Sequence, residues 1–183
     1  MSQLIVTKVD LARYVCSKCS TTRKEQLERL SSAWEVLYWQ AVRMRELVTQ
    51  QYRGFKVGCA VLAFRDDVSI MEGRWQFFSG MNAKISPTSR PVCAESVAIG
   101  SAYAAGYHEI IGMVVVDQPQ QDEYSGLYPP TLHPCHDCRT LMRSHPVVSL
   151  RTRILTAHPP EEKQEPEQEL HSLRRLLKIH NEL

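Results

Sequence analysis

Two short stretches of this chain carry residues with chemistry to do, Cys93-Ala94-Glu95 and Pro134-Cys135-His136-Asp137-Cys138. Three thiolates suit a tetrahedral Zn²⁺ that keeps one position open for water. A carboxylate two residues past the first thiol is placed to handle that water's protons. Cys135 and Cys138, at i and i+3, share one face of a helix, and Pro134 suits the start of that helix. A thiol in a first helical turn meets unpaired backbone N–H groups and the positive end of the helix dipole. Both favour the thiolate that a metal needs. Cys93 opens another helix in the same way, so two helix starts aimed at one point would assemble the site at a sheet edge. Three thiolates around a dication leave one net negative charge, and Arg139 is the nearest cation to offset it. A bare C-x-x-C reads as a redox pair or as two buried thiols just as well. Pro134, Cys93, Glu95 and the strand between the two motifs set this one apart.

The elements that must position these residues follow from periodicity. Between Thr22 and Gln51 the apolar residues Leu27, Leu30, Ala33, Leu37, Ala41, Met44 and Val48 recur at three and four, which predicts an amphipathic helix. Val57 to Phe64 predicts a buried strand, and Arg74 to Ser79 a second, aromatic one. The polar, proline-bearing segment 82–91 reads as a loop, followed by a helix from Val92 to about Ala105 that Gly106 ends. Ile110 to Val116 is a β-branched run suited to a strand buried on both faces. A long loop, Asp117 to His133, leads to the short helix from Cys135 to about Ser144. Val147 to Thr156 predicts a further strand. After Thr156 the sequence shows no convincing fifth strand, only a charged linker over 159–166 and a helix over Glu167–Leu183. The order predicts a three-layer α/β/α sandwich around a mixed sheet of four to five strands. It divides into an N-terminal extension (1–30), a catalytic domain (31–157) and an acidic linker with a C-terminal helix (158–183).

Composition narrows the setting. The 183 residues are 43% hydrophobic and 23% charged, with a formal net charge of +2, ordinary for a globular protein and without a global basic field. The longest apolar runs are strand length, and the first residues lack the basic-then-apolar pattern of a signal peptide. The expectation is a cytoplasmic protein whose six cysteines are thiols or metal ligands rather than disulfides. Cys16 and Cys19 find no partners at suitable spacing and read as structural or incidental. Cys59, inside a strand, reads as core.

Residues 34–145 resemble the cytidine deaminase superfamily, and most closely its small nucleoside branch, which includes blasticidin S deaminases. Three segments carry the likeness: Arg53-Gly54-Phe55-Lys56-Val57-Gly58-Cys59-Ala60, Val92-Cys93-Ala94-Glu95-Ser96-Val97-Ala98-Ile99-Gly100-Ser101-Ala102, and Pro134-Cys135-His136-Asp137-Cys138-Arg139. The resemblance implies that Cys93, Cys135 and Cys138 bind zinc. It implies that Glu95 is the general acid and base of a hydrolytic deamination that releases ammonia. It implies Phe55 beside the base, the Ala94 backbone at its ring edge, and Asn82, eleven residues before Cys93, against the sugar. A homo-oligomer, dimer or tetramer, is implied as well.

Departures from the pattern bear on substrate. Lys84 stands where the nucleoside enzymes place a glutamate for the ribose hydroxyl, and a cation cannot accept that hydrogen bond. With Lys56 and Arg90 it would seat a phosphate or another anion, unless all three are solvated loop charges. Ser96 replaces an arginine that offsets thiolate charge in many relatives. The nucleoside branch also closes with an antiparallel hairpin, or with a tail over a neighbouring subunit, that this tail does not suggest. Three readings stand: a deaminase of a cytosine-type nucleoside or related aminopyrimidine, a deaminase of a base within DNA or tRNA, and an inactive zinc scaffold. In the second, Arg53, Lys56, Lys84, Arg90, Arg143, Arg151 and Arg153 would track a backbone. In the third, His133 or His136 would close the metal site.

Overall fold

The computed structural model describes residues 21–48, 54–68, 73–83, 88, 90–161 and 166–183. Along them run α1 (Thr21–Glu46), β1 (Gly58–Phe64), β2 (Trp75–Met81), α2 (Ala94–Ala104), β3 (Glu109–Val116), α3 (His136–Ser144), β4 (Arg153–Ala157), β5 (Gln168–Ser172) and α4 (Leu173–Ile179). Among these residues five strands form one mixed sheet in the order β2-β1-β3-β4-β5. β1 pairs antiparallel with both β2 and β3, β3 runs parallel to β4, and β5 returns antiparallel along β4.

β1 and β3 are buried almost throughout, as expected of strands covered on both faces. Side chains alternate between those faces. Ala60, Leu62, Ile111, Val114 and Val116 pack with Leu30, Leu37, Tyr38 and Ala41 of α1. Cys59, Val61, Met113 and Val115 pack instead with Ala98 and Ile99 of α2, Met142 of α3 and Leu173, Leu176 and Leu177 of α4. The result is the α/β/α sandwich, with one helix on one face and three on the other. Cys93, Glu95, Cys135 and Cys138 sit with the three helices. No helix of the described residues is long and apolar enough to cross a membrane.

α2 is seated by its contact with β2. A Cβ at Gly80 would lie 2.5 Å from the Ala94 carbonyl oxygen and 2.8 Å from the Ala98 nitrogen, so only glycine lets the helix start rest this low on the strand. α2 ends through Gly106, at φ +82°, the left-handed conformation that glycine adopts without strain.

Two expectations need correction. The strand predicted over Val147–Thr156 is confined to β4, Arg153–Ala157. Val147 and Val148 are core residues, but the Thr152 hydroxyl accepts from the Ser149 N–H at 3.1 Å and the Thr152 N–H donates to the Ser149 carbonyl at 3.0 Å. That local turn replaces a ladder. The tail is not one helix over Glu167–Leu183. Residues 168–172 form β5, paired from Ala157↔Gln168 to Arg153↔Ser172, and only then does α4 begin, capped by the Ser172 hydroxyl. The antiparallel closure that the sequence left unseen is therefore present.

Candidate active site

Both helix starts point their thiols at one place. Cys93 is the N-cap of α2 and Cys135 the N-cap of α3, and their sulfurs are 3.9 Å apart. With Cys138 they form a group whose ligand atoms all lie within 4.8 Å of one another. A Zn–S bond of about 2.3 Å sets sulfur–sulfur separations of about 3.8 Å in a tetrahedral site, so the donor set fits zinc. Among the described residues no fourth protein donor joins that group.

The electrostatics explain why the three belong together. Hydrogen bonds from Cys138 and Cys93, and then the backbone N–H groups of Cys138 and Asp137, hold the Cys135 thiol far below its ordinary value. Sharing the cluster with that one thiolate drives Cys93 and Cys138 upward, and burial adds to both. A dication at its centre would let all three bind as thiolates and release their protons.

Glu95 lies in the first turn of α2, 4% exposed. Burial pushes its carboxyl up to about 7, and the negative charge of Cys135 adds to the rise. Glu95 is not a member of that donor group, but its carboxyl hydrogen-bonds Cys138 at the group's edge. Ser96, where many relatives carry an arginine, hydrogen-bonds back to the Cys93 carbonyl at 2.7 Å.

Cys93, Cys135 and Glu95 wall a cleft of about 770 Å³ with Phe55, Asn82 and Ala94, ample for a nucleoside-sized ligand. Phe55 is half-buried, and its backbone is set by Asn82: Asn82 Nδ2 donates to the Phe55 carbonyl at 3.0 Å and Oδ1 accepts from the Val57 N–H at 2.7 Å. Asn82 thus lines the cleft while its amide fixes the segment that presents Phe55. Lys84 lies outside the described residues, as do Arg53, Cys16 and Cys19. Arg90 is exposed. The described wall includes Glu95, Asp122, Glu123 and Asp137 and no lysine or arginine.

The roles expected of Arg139, His133 and His136 change. Arg139 is fully buried. It donates to Asp122 Oδ2 at 2.7 Å, to Glu182 Oε1 at 2.5 and 2.9 Å, and to the Pro134 carbonyl at 2.6 Å. Two carboxylates therefore absorb its charge, and the helix N–H groups are what face the thiolates. His136 stacks on Tyr124 at 3.9 Å between ring centroids and faces Glu182 at 3.1 Å. His133 contacts His180 at 3.0 Å and Glu169 at 3.2 Å. Neither histidine closes the thiol group. Asp122, Tyr124 and Glu182 were not singled out from sequence. The one local signal was the turn in which Asp122 Oδ1 accepts from the Ser125 N–H at 2.7 Å, written in an Asp-x-x-Ser-Gly string.

A family model described as the cytidine and deoxycytidylate deaminase zinc-binding region matches residues 32–150. That is well over half of the chain, and the protein belongs to this family of zinc-dependent aminohydrolases. Solved structures agree on the fold. Cytidine deaminase from Burkholderia pseudomallei is 23% identical, covering 78% of this chain and 94% of its own, with a TM-score of 0.56. Cytidine deaminase from Mycobacterium leprae is 22% identical over 79% of this chain and 96% of its own, with a TM-score of 0.52. No curated protein matches.

Proposed function

We propose that the protein hydrolytically deaminates a free cytosine-type nucleoside or a related aminopyrimidine compound, releasing ammonia. The observation that carries this reading is a three-thiol group with no fourth protein donor among the described residues, two of its thiols walling one cleft together with a buried glutamate. Cys93, Cys135 and Cys138 would hold zinc, which supplies the Lewis acidity that makes a water nucleophilic at neutral pH. The Glu95 carboxylate would pass one proton of that water to the ring nitrogen, then take the second, from the hydroxyl added to the ring carbon, and pass it to the leaving amine, which departs as ammonia. A carboxyl raised to about 7 can accept and release a proton at neutral pH. Phe55 flanks the base and the Ala94 backbone meets its edge, with Asn82 holding Phe55 in place beside the sugar. Lys84 would meet an anionic group of the substrate.

The placement of cations supports a free substrate over one held in nucleic acid. Arg143 is in the last turn of α3, a helix that begins at the thiols. Arg153 opens β4 opposite Gly112, and Arg151 precedes it, whereas the cleft is lined by residues 120–124 beyond the other end of β3. These arginines do not lead into the cleft. The antiparallel β4–β5 closure also agrees with the nucleoside branch. The test is ammonia release from cytidine, deoxycytidine, their monophosphates, blasticidin S and single-stranded DNA and RNA. Turnover of free compounds is expected, and a preference for monophosphates would give Lys84 its partner. Turnover confined to the oligonucleotides would contradict the proposal.

A further inference from the structure

A second group of donors lies apart from the three thiols. Glu169 and His171 are two residues apart on β5 and so share one face of it, while Leu170 between them packs toward the α1 layer. That shared face meets His133, in the segment that leads into α3. His133 Nε2 is 3.2 Å from Glu169 Oε2, and His171 Nε2 is 3.4 Å from Glu169 Oε1. The ligand atoms of all three residues lie within 4.8 Å of one another. The side chains of His133 and His171 are 3% and 11% exposed.

Two features of this group exceed what an ordinary ion-pair cluster needs. Both ring nitrogens of His171 are closed off from solvent, and neither makes a hydrogen bond. Buried polar nitrogens normally find partners. Here the lone pair of one of them faces a carboxylate and a second imidazole. Behind the group stands a relay able to hold the tautomer that a ligand histidine needs. His133 Nδ1 meets His180 Nε2 at 3.0 Å, and His180 Nδ1 meets Ser125 Oγ at 2.9 Å. With Nδ1–H donating down this chain, His133 presents its Nε2 lone pair to the same point. Ligand histidines are held in this manner, through the nitrogen that does not bind the metal. The Thr131 hydroxyl donates to Glu169 Oε2 at 2.6 Å and orients the carboxylate.

We infer that His133, Glu169 and His171 form a second divalent-metal site, taking Zn²⁺. Two imidazoles and a carboxylate are borderline donors that suit zinc. With three protein donors the ion would keep one position open, and by bridging the edge strand β5 and the segment that carries Cys135 it would couple the tail to the first metal group.

The test is metal stoichiometry on the full chain, stripped by chelator and titrated with Zn²⁺ and, separately, Co²⁺. Two equivalents per chain are expected, falling to one in His171→Ala and in Glu169→Gln. The Co²⁺ titration reads donor type without any substitution. The first equivalent brings thiolate-to-cobalt charge transfer, and the second adds ligand-field absorption alone. A single equivalent in the wild-type chain overturns the inference. So does a second equivalent that survives both substitutions or brings further charge transfer, as one held by Cys16 and Cys19 would.

Discussion

Helix α3 contributes to two clusters of polar groups that are built on opposite principles. On one side Cys93, Cys135, Cys138 and Glu95 come from two helix starts and await partners: three sulfurs lie within 4.8 Å of one another with no fourth protein donor among the described residues, and the carboxyl beside them is held up to about 7. On the other side Arg139, Asp122, Glu182 and His136 come from a loop, a helix and the chain's end, and they are complete. Arg139 meets two carboxylates and a carbonyl, with nothing asked of a ligand. The first cluster needs a metal and a substrate to be satisfied. The second holds the helix that presents two of its thiols.

The contrast predicts that damage to the two sides will separate cleanly. Arg139→Met should produce the larger loss of stability, because it leaves Asp122 and Glu182 buried without their cation. Breaking one partner of such a network costs about 3–5 kcal/mol, a fall in Tm of roughly 10 °C or more for a chain of this size. Thermal denaturation would show it, and zinc content per folded molecule should stay as in the wild type.

Acid sharpens the same point. Burial alone would raise the carboxyls of Asp122 and Glu182, but hydrogen bonds from Arg139, joined by Ser125 and His136 respectively, outweigh it and hold both below their ordinary values. The folded chain therefore takes up these protons less readily than the unfolded one. Their stabilisation is whole above the ordinary carboxylate range, about pH 4, and is lost as pH falls through the lower folded values. Wild type should lose more Tm between about pH 5 and pH 3 than Glu182→Gln does, and equal losses would remove the argument.

Tyr124 gives the smallest effect. Its ring is stacked on His136 at the mouth of the cleft and is 63% exposed. Tyr124→Ala removes a stacking surface worth about 0.5–1.5 kcal/mol. It should lower Tm by no more than a few degrees with kcat nearly unchanged, as thermal denaturation beside steady-state kinetics would reveal.

The same division governs what could be read from the chain. The thiols and Glu95 sit at fixed local spacings on helix starts, so their grouping is written in two strings of a few residues. α1 declares itself by periodicity, down to the burial of Leu27, Leu30 and Leu37, and β1 and β3 by their near-continuous apolar runs. β5 could not be read this way. Gln168-Glu169-Leu170-His171-Ser172 has one apolar residue and is a strand because β4 offers it hydrogen bonds, which is tertiary context rather than propensity. The leucines of α4 lent their helical spacing to the whole tail. Arg139 was noticed but given the wrong partners, since Asp122 is 17 residues away and Glu182 is 43. Separations of that size leave no pattern in a sequence.

The central claim is that the unfinished cluster performs the chemistry, with Glu95 moving the protons. The most direct measurement is ammonia release by zinc-loaded Glu95→Gln beside the wild type, with zinc content and Tm taken on the same samples. The account predicts a loss of about 10²–10⁴-fold in kcat, with zinc retained and Tm little changed. Turnover within a few-fold of wild type, in a variant that still holds zinc, would contradict it.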